Sequence, residues 1–224
     1  MIIVNNSETP APRPRGRPRA FDRAEALAKA GTTFWRLGYE GASIVDLTTA
    51  MGITPQSLYA AFGSKAALYR EALSWYQAEI GAYAARALVE EPTTIGALQT
   101  ILTKSADEFT RSNRPQGCMI ATATLTCADE HQPIADTVTG ARAATLDALV
   151  ARIERGLSEG DVRRGTDAHA LARFVGAIIQ GMSVQAIDGA TAEDLSGIAR
   201  LANAELHRHK ASETRARSSR HRAR

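Results

Sequence analysis

This sequence lacks most of the features that mark exported, membrane-bound or metal-holding proteins. Its first residues carry neither the charged segment nor the apolar stretch of a secretory signal. No apolar run approaches the ~20 residues that a membrane span needs, which argues against a membrane partner. The two cysteines, Cys118 and Cys127, form no disulfide framework, and with His131 they do not match a compact zinc spacing. We therefore expect a cytoplasmic protein without metal or cofactor.

Sequence patterns of the common enzyme classes are also missing. The chain has no G-x-S-x-G, H-E-x-x-H, P-loop or Rossmann glycine pattern, and no carboxylate pair or Ser/His/Asp set can be placed together. Aromatic residues make up only 5% of the chain, while the 44% hydrophobic and 23% charged residues are ordinary for a globular protein. This composition excludes a disordered chain, and the missing motifs argue against an enzyme.

Charge is distributed unevenly along the chain. Residues 1–23 hold five basic and two acidic side chains, and residues 208–224 hold seven and one, whereas the stretch between them holds 15 basic and 21 acidic. A mildly acidic body with two basic ends indicates a polyanion near one or both ends, although basic tails can also serve solubility alone. We expect residues 1–20 to be a disordered basic arm and residues 208–224 a disordered basic tail.

The N-terminal arm contains a short motif that suits the minor groove of DNA. In Arg15-Gly16-Arg17-Pro18, the glycine lets an extended backbone lie deep in a narrow groove, and the flanking Arg15 and Arg17 side chains seek its negative potential. The alternative is a tail that grips phosphates without sequence preference.

Helical periodicity dominates the chain between the two ends and predicts an all-α fold. Asp22 and Glu25 have the spacing of a helix N-terminal cap, and Gly38 is a helix stop. Beyond Pro92, apolar residues at three- and four-residue steps predict helices near 95–109, 134–153, 171–182 and 195–202. The stretch 119–126 alternates like a strand, but a lone strand would have no partner, so we assign it to a helix.

Residues 43–62 have the layout of a helix-turn-helix. Ser43 and Asp46 form a capping pair, Gly52 breaks the first short helix, and Thr54-Pro55 opens the second. The second helix of such a motif enters the major groove of DNA. Two short helices around a glycine turn are also common in all-α proteins that do not bind DNA.

The second helix of the motif has an inner and an outer side. At 100° per residue, Leu58, Ala61 and Phe62 share the inner side with Thr54, and Ser57 lies at the edge. The outer side carries Gln56, which can read adenine, and Ala60, whose methyl group can contact thymine. The Tyr59 and Ser57 hydroxyls suit phosphate oxygens, and Ser43 and Lys65 lie at helix N-termini that favour an anion.

Residues 16–76 resemble the N-terminal domain of TetR-family transcriptional regulators. The resemblance runs through Phe34-Trp35-Arg36-Leu37-Gly38-Tyr39, Gly52-Ile53-Thr54-Pro55-Gln56-Ser57-Leu58-Tyr59 and Phe62-Gly63-Ser64-Lys65. It implies an N-terminal three-helix helix-turn-helix domain (21–76), joined by a long helix to a C-terminal helical domain (77–207) for ligand binding and dimerisation. It also favours a homodimeric repressor. The residues expected at the operator DNA are Ser43, Thr54, Pro55, Gln56, Ser57, Tyr59, Ala60 and Lys65, with Arg15 and Arg17 from the arm.

The C-terminal half resembles one broad subgroup of that family, through Gly117-Cys118-Met119-Ile120 and Gln180-Gly181-Met182-Ser183-Val184-Gln185-Ala186. By this similarity the second segment lies on a helix that pairs with its mate across a dimer. The helix is apolar on more than one side, so it must be covered twice. The residues expected at the dimer interface are Phe174, Ile178, Gly181, Met182, Gln185, Leu195 and Ile198.

The pocket for a small-molecule effector is expected among apolar and aromatic residues of the helical core. Because no buried charge is evident to orient an ion, the expected effector is apolar or aromatic. The residues expected to line the pocket are Tyr76, Ile80, Tyr83, Leu102, Phe109, Met119 and Phe174.

Two alternatives to an effector-released repressor stay open. The first is a repressor of the same fold that senses oxidants or electrophiles through Cys118 or Cys127, although structural burial accounts for both thiols equally simply. The second is a DNA-compacting protein that binds without sequence preference through its basic ends.

Overall fold

The structure, a computed structural model, describes residues 21–123 and 127–212. Within these ranges the chain forms helices and turns, with one isolated β-bridge, Val162 to Lys210. The prediction of an all-α fold is therefore confirmed. A short 3-10 helix, Asp129–His131, precedes α7, and the α-helices are α1 (Arg23–Gly41), α2 (Ile44–Met51), α3 (Pro55–Phe62), α4 (Lys65–Glu79), α5 (Ala82–Glu90), α6 (Thr94–Phe109), α7 (Gln132–Glu159), α8 (Ala168–Ile187) and α9 (Ala192–His207).

Local capping contacts define the ends of α1 to α4, as the sequence predicts. Asp22 accepts hydrogen bonds from the backbone at the start of α1, and Ser43 and Asp46 form a reciprocal capping box on α2. Gly52 ends α2 with φ of 70°, a left-handed conformation that suits glycine. Gly38 also has a positive φ and kinks α1 three residues before its end, so the predicted stop is a kink inside a longer helix.

Two hydrophobic cores organise the fold. The N-terminal unit, α1 to α4, packs around fully buried Leu47, Leu58 and Leu68. The C-terminal unit, α5 to α9, packs around a second cluster in which α6 contacts α8 and α9. The first core also takes in four residues from beyond α6, namely Met119, Ile120, Ile134 and Val138. The two units therefore share packing, and the division near residue 76 stays an interpretation.

Two parts of the helix assignment are wrong. The described part of 119–126 consists of turns, because Gly117 takes a positive φ and the Cys118 N–H donates to the Ser183 hydroxyl of α8 at 2.7 Å. Residues 124–126 lie outside the described ranges. The sequence also gave no sign of α5, which follows a tight turn at Gly81 and has no side-chain cap at its start.

The basic C-terminal tail begins as ordered chain. His209 and Lys210 pair with the turn after α7, through the Arg163 N–H to the His209 carbonyl at 2.7 Å and the bridge between Val162 and Lys210. The expectation of disorder is therefore wrong for residues 208–212. The predicted arm, 1–20, and residues 213–224 of the tail lie outside the described ranges.

Helix α8 has a length and a mean hydropathy of 1.4 that would suit a membrane span, contrary to the sequence-based expectation. Only 33% of it is buried within the protomer. One side of α8 packs on α6, α7 and α9.

Candidate nucleic-acid interface

The outer side of α3 is directed away from the protein, as predicted. The Gln56 and Ala60 side chains are exposed, Tyr59 is 48% exposed, and Ser57 is half-buried at the edge. Leu58 and Phe62 are buried against α2 and α4. The exposed side thus offers an amide, a methyl group and a phenol on one rigid helix, which is the chemistry that reads base edges and phosphates in a major groove.

The residues that cap α2 and α3 are engaged in local hydrogen bonds. Thr54 is exposed rather than packed inward, because its hydroxyl oxygen accepts the Ser57 N–H at 3.2 Å and lies 3.0 Å from the Ser57 hydroxyl. The Ser43 hydroxyl donates to the Asp46 carboxylate at 2.5 Å. Hydrogen bonds from the Ser43 side chain and backbone hold the pKa of Asp46 below its ordinary value. Pro55 is exposed at the first helical position.

Lys65 lies at the start of α4 and is held by an aromatic ring. Its ammonium is 4.6 Å from the centre of the buried Tyr39 ring. Partial burial lowers the pKa of Lys65, while Glu40 opposes that change. The side chain is half-buried, so its expected phosphate contact uses a cation already positioned beside a helix N-terminus.

Arg23 of α1 contacts both the end of α3 and α4. No sequence spacing indicated these contacts. Its guanidinium carbon lies 4.4 Å from the centre of the Phe62 ring, and its Nη2 contacts the Glu71 carboxylate of α4 at 2.8 Å. The same nitrogen donates to the Ala61 carbonyl at 3.3 Å. The two hydrogen-bond partners, Ala61 and Glu71, are 38 and 48 residues from Arg23 along the chain, so only the fold brings them together.

The residues expected to line an effector pocket divide between the two cores. Tyr76 and Met119 are buried in the N-terminal core with Ile80 packed against it, while Leu102 and Phe109 belong to the C-terminal core with Phe174 at its side. Tyr83 hydrogen-bonds Ser105 of α6 through its hydroxyl at 2.8 Å. The seven residues thus come from both cores, and Tyr76 and Tyr83 lie where the two units meet; their role in effector binding stays a prediction.

A polar cluster lies at that junction, contrary to the expectation of no buried charge. It comprises Arg114, which follows α6, its partner Glu108, and the hydroxyls of Tyr76 and Tyr83. Burial raises the pKa of both tyrosines, and the Cys118 thiol beside Tyr76 raises it further. Both groups are neutral phenols at neutral pH, as an ordinary tyrosine is, and the raised pKa only strengthens this. The charges were missed because a Glu in the last turn of a helix and an Arg in the segment after it are typical of a solvated surface.

Cys118 and Cys127 are free, half-buried thiols. In the described ranges no group of three or more His, Cys, Asp or Glu side chains could hold a metal ion. Cys118 packs against both hydrophobic cores.

The residues expected at a dimer interface occupy two different environments. Phe174, Ile178 and Gly181 of α8 are half-buried and Gln185 is exposed, so together with Ile198 of α9 they form an outward strip. Met182 and Leu195 are fully buried in the C-terminal core. Including those two was an error, since both point toward the protomer's own core. The strip continues through residues that the sequence did not single out, Val184 and Ile187 of α8 and Leu201 of α9, which is 74% exposed.

The fold and the exposed side of α3 together define a helix-turn-helix DNA-binding protein with a helical C-terminal domain. Two family models match the chain: the model of bacterial regulatory proteins of the tetR family over residues 26–72, and the tetracyclin repressor-like C-terminal domain over residues 95–196. The chain belongs to the TetR family of transcriptional regulators, which are DNA-binding proteins and not enzymes.

Named relatives agree with that assignment. The chain is 36% identical to the HTH-type transcriptional repressor ComR of Escherichia coli over 186 residues, covering 83% of this chain and 89% of ComR. It is 28% identical to the E. coli repressor BdcR over 202 residues, covering 90% of this chain and 95% of BdcR. A cysteine mutant of the TetR-family regulator CifR, solved in complex with 26-base-pair operator DNA, aligns with a TM-score of 0.81 at 39% identity, covering 84% of this chain and 98% of that chain.

Proposed function

We propose that this protein is a homodimeric cytoplasmic repressor that binds a palindromic operator through α3 and is released from it by a small-molecule effector. The observation that carries the proposal is the exposed side of α3. There the Gln56, Tyr59 and Ala60 side chains face outward from a helix that is capped at both ends. The complex of CifR with operator DNA supports it, because the two aligned chains are 39% identical in sequence.

In the proposed complex, α3 lies in the major groove. Gln56 reads a base, best an adenine, and the Ala60 methyl group packs on a thymine methyl. The polar groups around them, Ser43, Thr54, Ser57, Tyr59 and Lys65, contact phosphates with Pro55 beside the backbone. Arg15 and Arg17 of the arm occupy the adjacent minor groove.

The proposed dimer forms through the outward strip of α8 and α9. A Cβ placed on Gly181 would have nothing within 4 Å, so a second helix can approach the α8 backbone closely there. Phe174, Ile178 and Leu201 would supply the apolar contact around that point. Two copies held this way would present two α3 helices to successive major grooves, which requires an operator with two-fold symmetry.

The proposed effector acts at the junction between the units. Its binding would change the separation of the two reading helices, so effector and operator would weaken each other's binding by the same factor.

Selection of bound duplexes from a random DNA pool tests the proposal. We expect enrichment of one inverted repeat, bound by two protomers, with an affinity that falls steeply with salt. Absence of enrichment, or binding by a single protomer, would contradict it. A chain trimmed to residues 21–212 distinguishes this proposal from the DNA-compacting alternative, which requires the basic ends. That alternative fails if the trimmed chain still binds the repeat.

A second candidate, thiol-controlled release, is favoured by the position of Cys118. This residue contacts both cores, and its N–H is bonded to Ser183 of α8 at 2.7 Å. Modification of its thiol would disturb α4 and α8 together. Cys118→Ser should then abolish the loss of operator binding caused by an alkylating reagent such as N-ethylmaleimide, whereas the matched Cys127→Ser variant should retain it. Equal behaviour of the two variants would exclude this candidate.

A further inference from the structure

Two buried N–H donors at the junction of the units have no acceptor. They are the indole Nε1 of Trp35 in α1 and the guanidinium Nε of Arg114, which follows α6, and neither has a hydrogen-bond partner among the described residues. A buried donor without an acceptor is costly, and such groups are rare in folded proteins. Two of them in one place indicate a group that supplies the acceptors.

The two donors belong to one cluster. The guanidinium carbon of Arg114 lies 5.7 Å from the centre of the Trp35 ring, and the Trp35 ring meets the Tyr76 ring edge to face with 4.9 Å between centres. Tyr76 and Tyr83 are both close enough to Arg114 to influence its pKa, which burial lowers. One site therefore brings together α1, α4 and α5 with the segment that follows α6.

The charge in this cluster is unbalanced in favour of an anion. Arg111 and Arg114 share a single carboxylate, Glu108, with 2.7 Å between Arg111 Nη2 and Glu108 Oε1. The Arg114 and Glu108 side chains are each only 15% exposed, so little solvent screens that pair, whereas the Arg111 side chain is 53% exposed and its charge is screened by solvent. Two guanidinium groups against one carboxylate leave one positive charge in this group, and Arg111 carries it at the solvent side of the cluster.

The surroundings limit what kind of anion can be held. Tyr76 and Tyr83 are neutral phenols at neutral pH, and burial raises the pKa of each still further, so neither adds a negative charge. Phe109 and Met119 are buried in the cores that meet here. One surplus charge, two donors and an apolar and aromatic environment suit a single carboxylate on an otherwise apolar molecule.

We propose that Trp35 and Arg114 bind the carboxylate of an apolar organic acid, with Tyr76 and Tyr83 beside its apolar part. The inference rests on the proposed function, because it assigns the chemical class of the effector. It also corrects the expectation of an effector without charge. Trp35 and Tyr76 lie on α1 and α4 of the N-terminal unit, whereas Arg114 and Tyr83 belong with α5 and α6, so an acid bound between them would shift the reading helix relative to the C-terminal unit.

The test uses the full chain without DNA and a graded series of probes. Benzoate, phenylacetate and octanoate are each paired with the alcohol of the same skeleton, benzyl alcohol, phenylethanol and octanol. Binding is followed by thermal shift and by tryptophan fluorescence in a Trp75→Phe background, where Trp35 is the remaining indole. We expect at least one acid to raise Tm and change Trp35 emission, with about tenfold or greater preference over its alcohol.

Two variants assign that binding to the cluster. Trp35→Phe keeps an aromatic ring and removes the N–H, and should weaken acid binding by about 10-fold or more, as expected for a hydrogen bond to a charged group. Trp75→Phe is the matched control and should not change it. Arg114→Leu, which can disturb folding, is supplemented by Arg114→Lys, which keeps the charge and removes the Nε donor and should weaken binding less than Arg114→Leu.

Each outcome either supports or overturns the assignment. Three outcomes would overturn it. The first is equal binding of acids and alcohols, and the second is no response to any acid, as when water alone satisfies the donors. The third is equal behaviour of Trp35→Phe and Trp75→Phe. The acids are then added to the operator complex. Acid binding without release of DNA leaves the site intact and contradicts the proposed effector function. Release that persists in Trp35→Phe retains the function and rejects the site.

Discussion

The N-terminal and C-terminal units are specified by contacts of different range along the chain. In α1 to α4, side chains within three residues of each helix start provide the caps: Asp22, Ser43, Thr54 and Ser64. In the C-terminal unit, the start of α6 has a local cap, Thr93, and in addition partners more than 50 residues away. The Thr94 N–H donates to the Asp161 carboxylate at 2.6 Å, and Arg152 donates to the Thr94 hydroxyl. The starts of the helices in the N-terminal unit are therefore encoded locally, whereas the start of α6 is also fixed by tertiary contacts.

The largest effect that would test this contrast is expected from the aromatic core of the N-terminal unit. Phe34 is 1% exposed and packs on Tyr69 with ring centres 4.9 Å apart. Phe34→Ala should cost about 3–5 kcal/mol and raise hydrogen exchange first in α1 to α4, since the local caps cannot replace a core. Leu102→Ala is the counterpart in the C-terminal core and should raise exchange first in α6 to α9. Identical exchange patterns in the two variants would show that the units do not differ.

A second prediction compares two glycines on α7. A Cβ at Gly156 would overlap Thr94 and Asp161 and lie 2.7 Å from a Val162 methyl carbon, so Gly156→Ala should cost about 1–3 kcal/mol by breaking the long-range tie. Gly140 has nothing within 4 Å of an added Cβ, and Gly140→Ala should stabilise the helix by up to about 1 kcal/mol. Urea denaturation measures both. A loss of stability in Gly140→Ala, or none in Gly156→Ala, would contradict a structural role for the contact between Thr94 and Asp161.

A third comparison exchanges one cap in each unit. Thr54 caps α3 and Thr191 caps α9 through the same kind of side-chain bond. Either Thr→Ala change should cost about 1 kcal/mol of stability. Operator affinity measured at a temperature where both variants are folded should fall only for Thr54→Ala, because only α3 belongs to the reading surface. An equal fall for Thr191→Ala would remove the distinction between the units.

The smallest expected effect concerns acid. Hydrogen bonds from Ser43 lower the pKa of Asp46, and those from Thr191 lower the pKa of Asp194. A lowered pKa in the folded state adds stability above the unfolded value of about 4, and that stability is lost as pH falls through the folded value. Stability should therefore decline below about pH 4, and Asp46→Asn or Asp194→Asn should each flatten part of that decline in a pH series of thermal unfolding. A decline that neither variant alters would assign it to other groups.

What the sequence could predict follows the same division. The bounds of α2 and α3 and the outward direction of Gln56 depend on capping residues and helical periodicity, which are short-range signals. The turns at 119–123 were assigned to a helix, because contacts that fix them come from Ser183 and from Arg142, whose guanidinium donates to the Ala123 carbonyl at 2.9 Å. No window of neighbouring residues contains that information.

The candidate site shows the same limit. The tyrosines of the junction could be selected as pocket residues because aromatic residues in a helical core often line pockets. Arg114 and Glu108 could not, since their burial depends on how the segment after α6 folds back over Trp35. The outward strip of α8 could be predicted because the helix is apolar on a second side. Met182 was wrongly included, because sequence periodicity does not tell which apolar side faces inward.

The central claim is that the outer side of α3 reads base edges, and one affinity ratio tests it most directly. Dissociation constants for the selected repeat and for a scrambled duplex of the same composition are measured at one salt concentration, for the unaltered protein, Gln56→Ala and the control Gln77→Ala on the exposed side of α4. We predict that Gln56→Ala lowers the preference for the repeat by about 1–3 kcal/mol and leaves scrambled binding unchanged, while Gln77→Ala alters neither. An unaltered protein that binds the two duplexes equally, or a preference that survives Gln56→Ala intact, would contradict the claim.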